Sequence, residues 1–150
     1  MTEVAEMPRP CRVLLIEDDP DDVFLFERAL DSVKVGLRHE VALELVRDGL
    51  EAAFLVSVED LTDRLPDVMV LDLNMPRLNG VKFLHVLRET IELSEVPVFV
   101  LTTSTARPVH DEALRAGADK VFVKPDSADA LSAIAAEIVE CGVAFAQSRG

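Results

Sequence analysis

Four apolar runs in this chain each stop on residues that could do chemistry. "RVLLI" (12–16) runs into Glu17, Asp18 and Asp19, and "DVMVL" (67–71) into Asp72, with Asn74 two places on. "PVFVL" (97–101) runs into Thr102, Thr103 and Ser104, and "KVFV" (120–123) into Lys124 and Pro125. Carboxylates gathered from two separate runs repel one another, and an oxygen-seeking divalent cation relieves that repulsion. Mg2+ suits such a place, because it uses one or two carboxylates, keeps several waters and shares ligands with a phosphate. Zinc does not, since no His or Cys joins the cluster. Lys124 is a compact ammonium able to pair with a carboxylate or with a phosphoryl oxygen. Thr102 and Thr103, ordinary as strand-end residues, can also offer a hydroxyl and a backbone N–H to phosphoryl oxygens. Together these residue types suit a carboxylate nucleophile: attack of Asp72 on phosphorus gives an acyl phosphate, with Mg2+, Lys124 and Thr102 neutralising the phosphoryl charge. A lone Asp ahead of a helix is most often a cap, and Asp19, followed by Pro20, reads that way.

The runs themselves say how these ends meet. All four are nearly continuous and rich in β-branched residues, as strands covered on both faces are. A fifth run, "HEVALELV" (39–46), alternates and reads as an edge strand. Between the runs lie apolar residues at helical spacing. They are Val23, Phe24, Phe26 and Leu30; Leu50, Ala53 and Phe54 after Asp48; Val81, Leu84, Val86 and Leu87; and Ala113, Leu114 and Ala116, closed by Gly117. The last such segment carries Leu131, Ile134, Ala135, Ile138, Gly142 and Phe145. Strand then helix, five times over, implies an α/β fold: a doubly wound, five-stranded parallel sheet with helices on both faces. In such sheets ligands bind outside the carboxyl ends of the strands. Val139, Val143 and Ala144 lie beside the core-facing stripe of the last helix. That surplus points to a homodimer through the fourth helix, fifth strand and last helix; a wide stripe packed into the domain itself is the alternative.

The 150 residues fit one domain, read as 10–146, with a flexible N-terminal tail over 1–9 and a short C-terminal tail over 147–150. A net charge of −13 and a pI near 4.5 argue against a nucleic-acid surface and against anionic membranes. Hydrophobic residues make up 49% and aromatics 5%, so the core must be built of Leu, Val, Ile and Ala. Cys11 and Cys141 fit no metal or redox spacing and read as reduced, buried thiols of a cytoplasmic protein. The opening "MTEVAEMPRP" has no basic stretch leading an apolar one, so it is not a signal peptide, and no run reaches the ~18 apolar residues of a membrane span. His39, His85 and His110 read as surface or structural residues.

The motifs "LLIEDDP", "VLDLNMPRLNG", "PVFVLTTS" and "GADKVFVKP", in order and at strand ends, resemble the response-regulator receiver domains of two-component signalling over residues 11 to 145. The resemblance implies a flavodoxin-like sheet of order 2-1-3-4-5. It also implies that Asp72 is the phosphoacceptor, that Asp18 binds Mg2+ directly and Glu17 through water, and that the backbone carbonyl of Asn74 is a further ligand. Thr102 would be the switch hydroxyl, with Thr103 beside it, and Lys124 the phosphate-pairing lysine. The donor would be a phosphohistidine on a sensor histidine kinase. The chain would then be no enzyme of its own, but a phosphoacceptor that promotes its own phosphotransfer and autodephosphorylation. With no output domain expected after Lys124, it reads as a single-domain regulator. "DLNMPRLNG" with "LTTS" is similar to the regulators paired with bacterial phytochrome-type kinases.

One position departs from the pattern. Receivers commonly carry a switch aromatic three residues before the lysine, and here that residue is Val121. Phe122 is adjacent, but strand side chains alternate, so it should face the other way. Three rival readings share part of this pattern. A haloacid-dehalogenase type of Mg2+-dependent phosphatase needs a second acid two residues after the nucleophile, where Asn74 stands. A dinucleotide or flavin binder lacks its G-x-G-x-x-G after the first strand. A receiver-like binding module acting without phosphorylation predicts loss of Asp72 or Lys124, and both are present.

Overall fold

A computed structural model describes residues 9–37, 39–49, 51–52, 54, 65–75, 79–89 and 94–149. The elements are β1 (Cys11–Ile16), α1 (Pro20–Lys34), β2 (Val41–Val46), β3 (Val68–Asp72), α2 (Gly80–Glu89), β4 (Val98–Thr102), α3 (Arg107–Ala116), β5 (Lys120–Val123) and α4 (Ala128–Arg149). The sheet is parallel throughout, in the order β2-β1-β3-β4-β5. β3 and β4 run one residue further than the apolar runs suggest, because Asp72 pairs with Leu101 in the ladder and Thr102 with Val123. Of the tails expected over 1–9 and 147–150, residues 1–8 and 150 lie outside the described residues, as do Leu50 and Ala53 of the segment after Asp48; residues 147–149 instead continue α4, and Arg9 is bonded to Asp67. Of that segment Ala52 is buried, and its N–H donates to the Asp48 carbonyl in a helical turn.

Strand alternation sorts the apolar side chains into two layers. Leu14, Ile16, Met69, Leu71, Val98 and Val100 face α2 and α3, meeting Leu84, Leu87, Ala113 and Ala116. Val13, Leu15, Val68, Val70, Phe99 and Leu101 face α1 and α4, meeting Phe26, Leu30, Ala135 and Ile138. α1 begins as its sequence requires: Asp19 is the N-cap, its side chain accepts from Asp21 N–H, and Pro20 opens the first turn. α4 lies tight on the sheet at Gly142, where an added Cβ would stand 2.9 Å from both Cys11 Sγ and Val68 Cγ1. No described helix is long and apolar enough to cross a membrane.

Among the described residues, four apolar positions of the expected helical faces are outside the core: Phe24, Phe54, Val86 and Leu114 are 58%, 71%, 55% and 45% exposed. Val139 differs in the opposite sense. It is fully buried, because α4 packs on both the sheet and α1, which widens its inward stripe. The wide stripe therefore serves the domain's own core at that position.

At the amino ends of the strands two arginines tie the layers down. Arg9 donates from both terminal nitrogens to Asp67 (2.9 and 2.8 Å), whose carboxylate also accepts Arg12 N–H at 2.8 Å. Arg88 of α2 donates to the carbonyls of Gly117 (2.9 and 2.7 Å), Ser94 (3.0 Å) and Val96 (2.7 Å) and to Asp119 (2.9 Å). Gly117 ends α3 at φ 122°, the left-handed region that favours glycine, and a Cβ there would strike the Arg88 stem.

Candidate functional site

The strand order makes β1, β3 and β4 neighbours, so their carboxyl ends share one edge, with β5 next to β4. Backbone bonds carry the ladder past each strand end. Glu17 N–H donates to Val46 O (3.0 Å), Leu73 N–H to Leu101 O (3.1 Å) and Lys124 N–H to Thr102 O (2.8 Å). Glu17, Asp72, Thr102 and Lys124 are thereby fixed by the sheet itself. Positions on a strand ladder are held more precisely than positions on loops.

Glu17, Asp18 and Asp72 each bring one carboxylate oxygen within 4.8 Å of the others. Glu17 and Asp72 are 2% and 3% exposed. Buried acids this close cannot both carry their charge easily. Burial first, then the hydrogen bond and charge of Asp72, push the Glu17 carboxyl up to about 8, and Lys124 only partly opposes this. The Lys124 ammonium lies 2.7 Å from Asp22 Oδ2, 3.1 Å from Glu17 Oε1 and 3.3 Å from Asp72 Oδ1. Burial alone would lower the pKa of Lys124. The bond to Asp22 and the charges of Asp72 and Glu17 outweigh burial and hold it above the usual lysine value.

Asp72 Oδ1 also accepts Asn74 N–H at 2.9 Å, in a tight turn just past the strand. The Asn74 side chain reaches across to β4, where its Oδ1 accepts Thr103 N–H at 3.0 Å. Thr102 is 1% exposed, and its Oγ1 accepts Ser104 N–H at 3.1 Å. Ser104 in turn accepts Ala106 N–H on its Oγ (3.1 Å) and contacts His110 Nε2 through its carbonyl (2.7 Å). His110 is thus a structural residue. A carbonyl can only accept, so Nε2 carries the proton in that contact.

Val121 is half-buried and faces the α2–α3 layer, while Phe122 faces the other layer and stacks on Phe99 with centroids 5.8 Å apart at 15°. The site therefore has no aromatic side chain at position 121. Sequence reasoning missed two participants: Asp22, and the amide of Asn74 as a bridge to β4. Asp22 carried a signal, an acid in the first helical turn directly after a strand-end acidic cluster. The reach of the Asn74 amide had none.

The donor set is three carboxylates with no His or Cys among the described residues. Hard oxygen donors of this kind fit a cation such as Mg2+ or Mn2+ and fit zinc poorly. An ammonium and a hydroxyl at the same edge complete a place for an anion with several oxygens.

Comparison with known proteins agrees with this geometry. The family model of the response regulator receiver domain matches residues 13–136. The phosphorylated cyanobacterial phytochrome response regulator RcpA superposes with a TM-score of 0.77 at 26% identity, covering 89% of this chain and 94% of that one. The Mn2+-bound form of response regulator Rcp1 gives 0.68 at 25% identity, covering 86% and 91%. The probable methanogenesis regulatory protein FilR2 of Methanothrix harundinacea is 31% identical over 152 residues, 99% of this chain and 94% of that protein. Other curated relatives are far longer: the chain spans 13% of the sensor kinase/phosphatase LuxQ of Vibrio harveyi, at 28% identity over 120 residues. Fold, matched segment and strand-end chemistry agree, and the chain belongs to the response regulator receiver domain family.

Proposed function

We propose that this response regulator takes a phosphoryl group on Asp72 from the phosphohistidine of a sensor histidine kinase, in an Mg2+-dependent reaction, and signals by altered protein contacts. One observation carries the reading. Asp72 is a buried strand-end carboxylate with an ammonium at 3.3 Å and two further acids close by. A carboxylate oxygen of Asp72 attacks phosphorus, the O–P bond forms as the N–P bond breaks, and the electron pair of that bond stays on the departing imidazole. Lys124 meets the phosphoryl oxygens as a point charge. The Thr102 hydroxyl accepts Ser104 N–H on its oxygen and can turn its own proton toward a phosphoryl oxygen. Mg2+, when bound, would supply the remaining positive charge, held by Asp18, Asp72 and the carbonyl of Asn74, with Glu17 acting through water. Later hydrolysis of the acyl phosphate by the same site resets it.

With no ring at position 121, the response passes through the 103–110 segment. There Asn74, Thr102 and His110 already form a run of hydrogen bonds into α3. The similarity to RcpA supports a phytochrome-type kinase as the donor. Self-association through α3, β5 and α4 rests on Leu114 and Val123, the exposed large apolar residues there, and sedimentation with and without beryllofluoride tests it. The phosphoacceptor is tested by incubating the protein with acetyl phosphate and Mg2+ and measuring intact mass. Wild type gains one phosphoryl group, Asp72→Asn gains none, and full labelling of that variant would remove the assignment.

A further inference from the structure

We propose that Asp22 is a positioning residue that tethers the Lys124 ammonium, so that Lys124 presents its remaining N–H to Asp72. The inference rests on the phosphoacceptor reading of Asp72 and adds a residue to it.

An ammonium has three donors and no acceptor. Two of the three are hydrogen-bonded here, to Asp22 Oδ2 at 2.7 Å and to Glu17 Oε1 at 3.1 Å. The contact with Asp72 Oδ1, at 3.3 Å, is an ion pair without hydrogen-bond geometry. Two tethers fix the direction of the third donor, and that donor is the one left for a group arriving on Asp72. Lys has a flexible four-carbon stem and loses rotamer freedom when held. A lysine left untethered would spread over several positions, of which few face Asp72.

The two tethers differ in kind. Glu17 is buried and faces Asp18 and Asp72 as well, so its carboxylate is shared between the acidic cluster and the ammonium. The Asp22 side chain is 34% exposed and sits in the first turn of α1, where the helix N-terminus favours a carboxylate. Its contact with the ammonium is the shortest of the three, 2.7 Å against 3.1 and 3.3 Å. Beneath the pair lies a small cavity of about 40 Å³, lined by Leu15, Leu25, Phe26, Leu101 and the stem of Lys124. It has room for a water and thus for the lysine to slacken inward if the tether is cut. An exposed ion pair contributes little to stability. Lys124 is only 15% exposed, however, so here the pair's effect is on where the ammonium stands.

The test uses the whole chain with Asp22→Ala and Asp22→Asn, the second keeping an oxygen that accepts from Lys124. Two readouts are taken. In Mg2+-dependent labelling by acetyl phosphate, Asp22→Ala should have a maximal rate about tenfold lower, with the Mg2+ midpoint moved by less than about twofold. Asp22→Asn should recover part of that rate. Separately, reductive methylation at limiting reagent, read by peptide mass, should modify Lys124 faster in Asp22→Ala than in wild type. A merely structural role would not single out that amine from the other lysines. Wild-type labelling kinetics in Asp22→Ala, or unchanged methylation of Lys124, would overturn the tether. If wild type takes no label, or Asp72→Asn keeps it, the phosphoacceptor reading falls. The methylation rates then still decide whether Asp22 holds Lys124.

Discussion

β3 has a buried acid at each end, and the two are held in opposite ways. Asp67, just before the strand, is fully buried and receives both nitrogens of the Arg9 fork plus the Arg12 N–H. Its charge is met by a rigid, bidentate partner whose fork matches the two carboxylate oxygens. Asp72, at the strand's other end, shares one ammonium with Glu17 and Asp22 and has two more carboxylates within reach of its own oxygens. One end is satisfied and the other is left in want of positive charge. The same residue type at the same depth thus serves architecture below and chemistry above, and the partner decides which.

Asp→Asn at the two ends should therefore have opposite signs. Asp72→Asn should abolish phosphoryl labelling outright and raise metal-free stability, because it removes a buried charge beside Glu17. Urea titration in EDTA reads the second effect, and a lower midpoint for that variant would break the contrast. The carboxyl end should also respond to pH. With no metal bound, Glu17 titrates near 8 in the folded chain against an ordinary 4.5, so the folded state binds more protons across that window. The sign follows: metal-free stability falls as pH rises from 5.5 to 8.5, by on the order of a few kcal/mol, and saturating Mg2+ reduces the fall. A flat profile in EDTA would count against the strained pair.

At the amino end, Asp67→Asn loses one arm of the Arg9 fork and should cost about 2 kcal/mol, with labelling by acetyl phosphate unchanged. Loss of labelling in a folded Asp67→Asn protein would mean that the two ends are coupled. The smallest effect concerns Cys11, beside Asp67. Burial first, and then the charge of Asp67, push its thiol up to about 11, against the pull of Arg9. Iodoacetamide at pH 8 should alkylate it about 100-fold more slowly than a free cysteine, at a rate indifferent to Mg2+. Peptide mass mapping resolves it from Cys141, which is only partly buried.

Much of the upper end was legible in the sequence, because each of its residues stops an apolar run. Glu17, Asp18, Asp72, Thr102 and Lys124 all stand where a strand finishes, and parallel strands of this order must finish together. The cap at Asp19, the edge position of β2 and the opposite faces of Val121 and Phe122 follow from local rules and alternation. What the sequence hid were partners. Lys124 meets Asp22 across 102 residues and Arg9 meets Asp67 across 58, and no local pattern states such a pairing. Val139 was misjudged for a related reason: periodicity gives the width of an apolar stripe, but packing decides how much of that width the domain consumes.

The clasp of Arg88 on Gly117 has a mechanical consequence. It fastens the carboxyl end of α3 to α2 and to the foot of β4, whereas the other end, at Ala106, has no side-chain cap bond of its own. A tilt of α3 would therefore pivot at Gly117. The helix's 10 residues make an arm of ~15 Å, so a tilt of about 8° carries the Arg107 tip by ~2 Å while the pivot stays still. A displacement imparted at Ser104, which touches Ala106 and His110, would in this way tilt that end of the helix and fade toward Gly117.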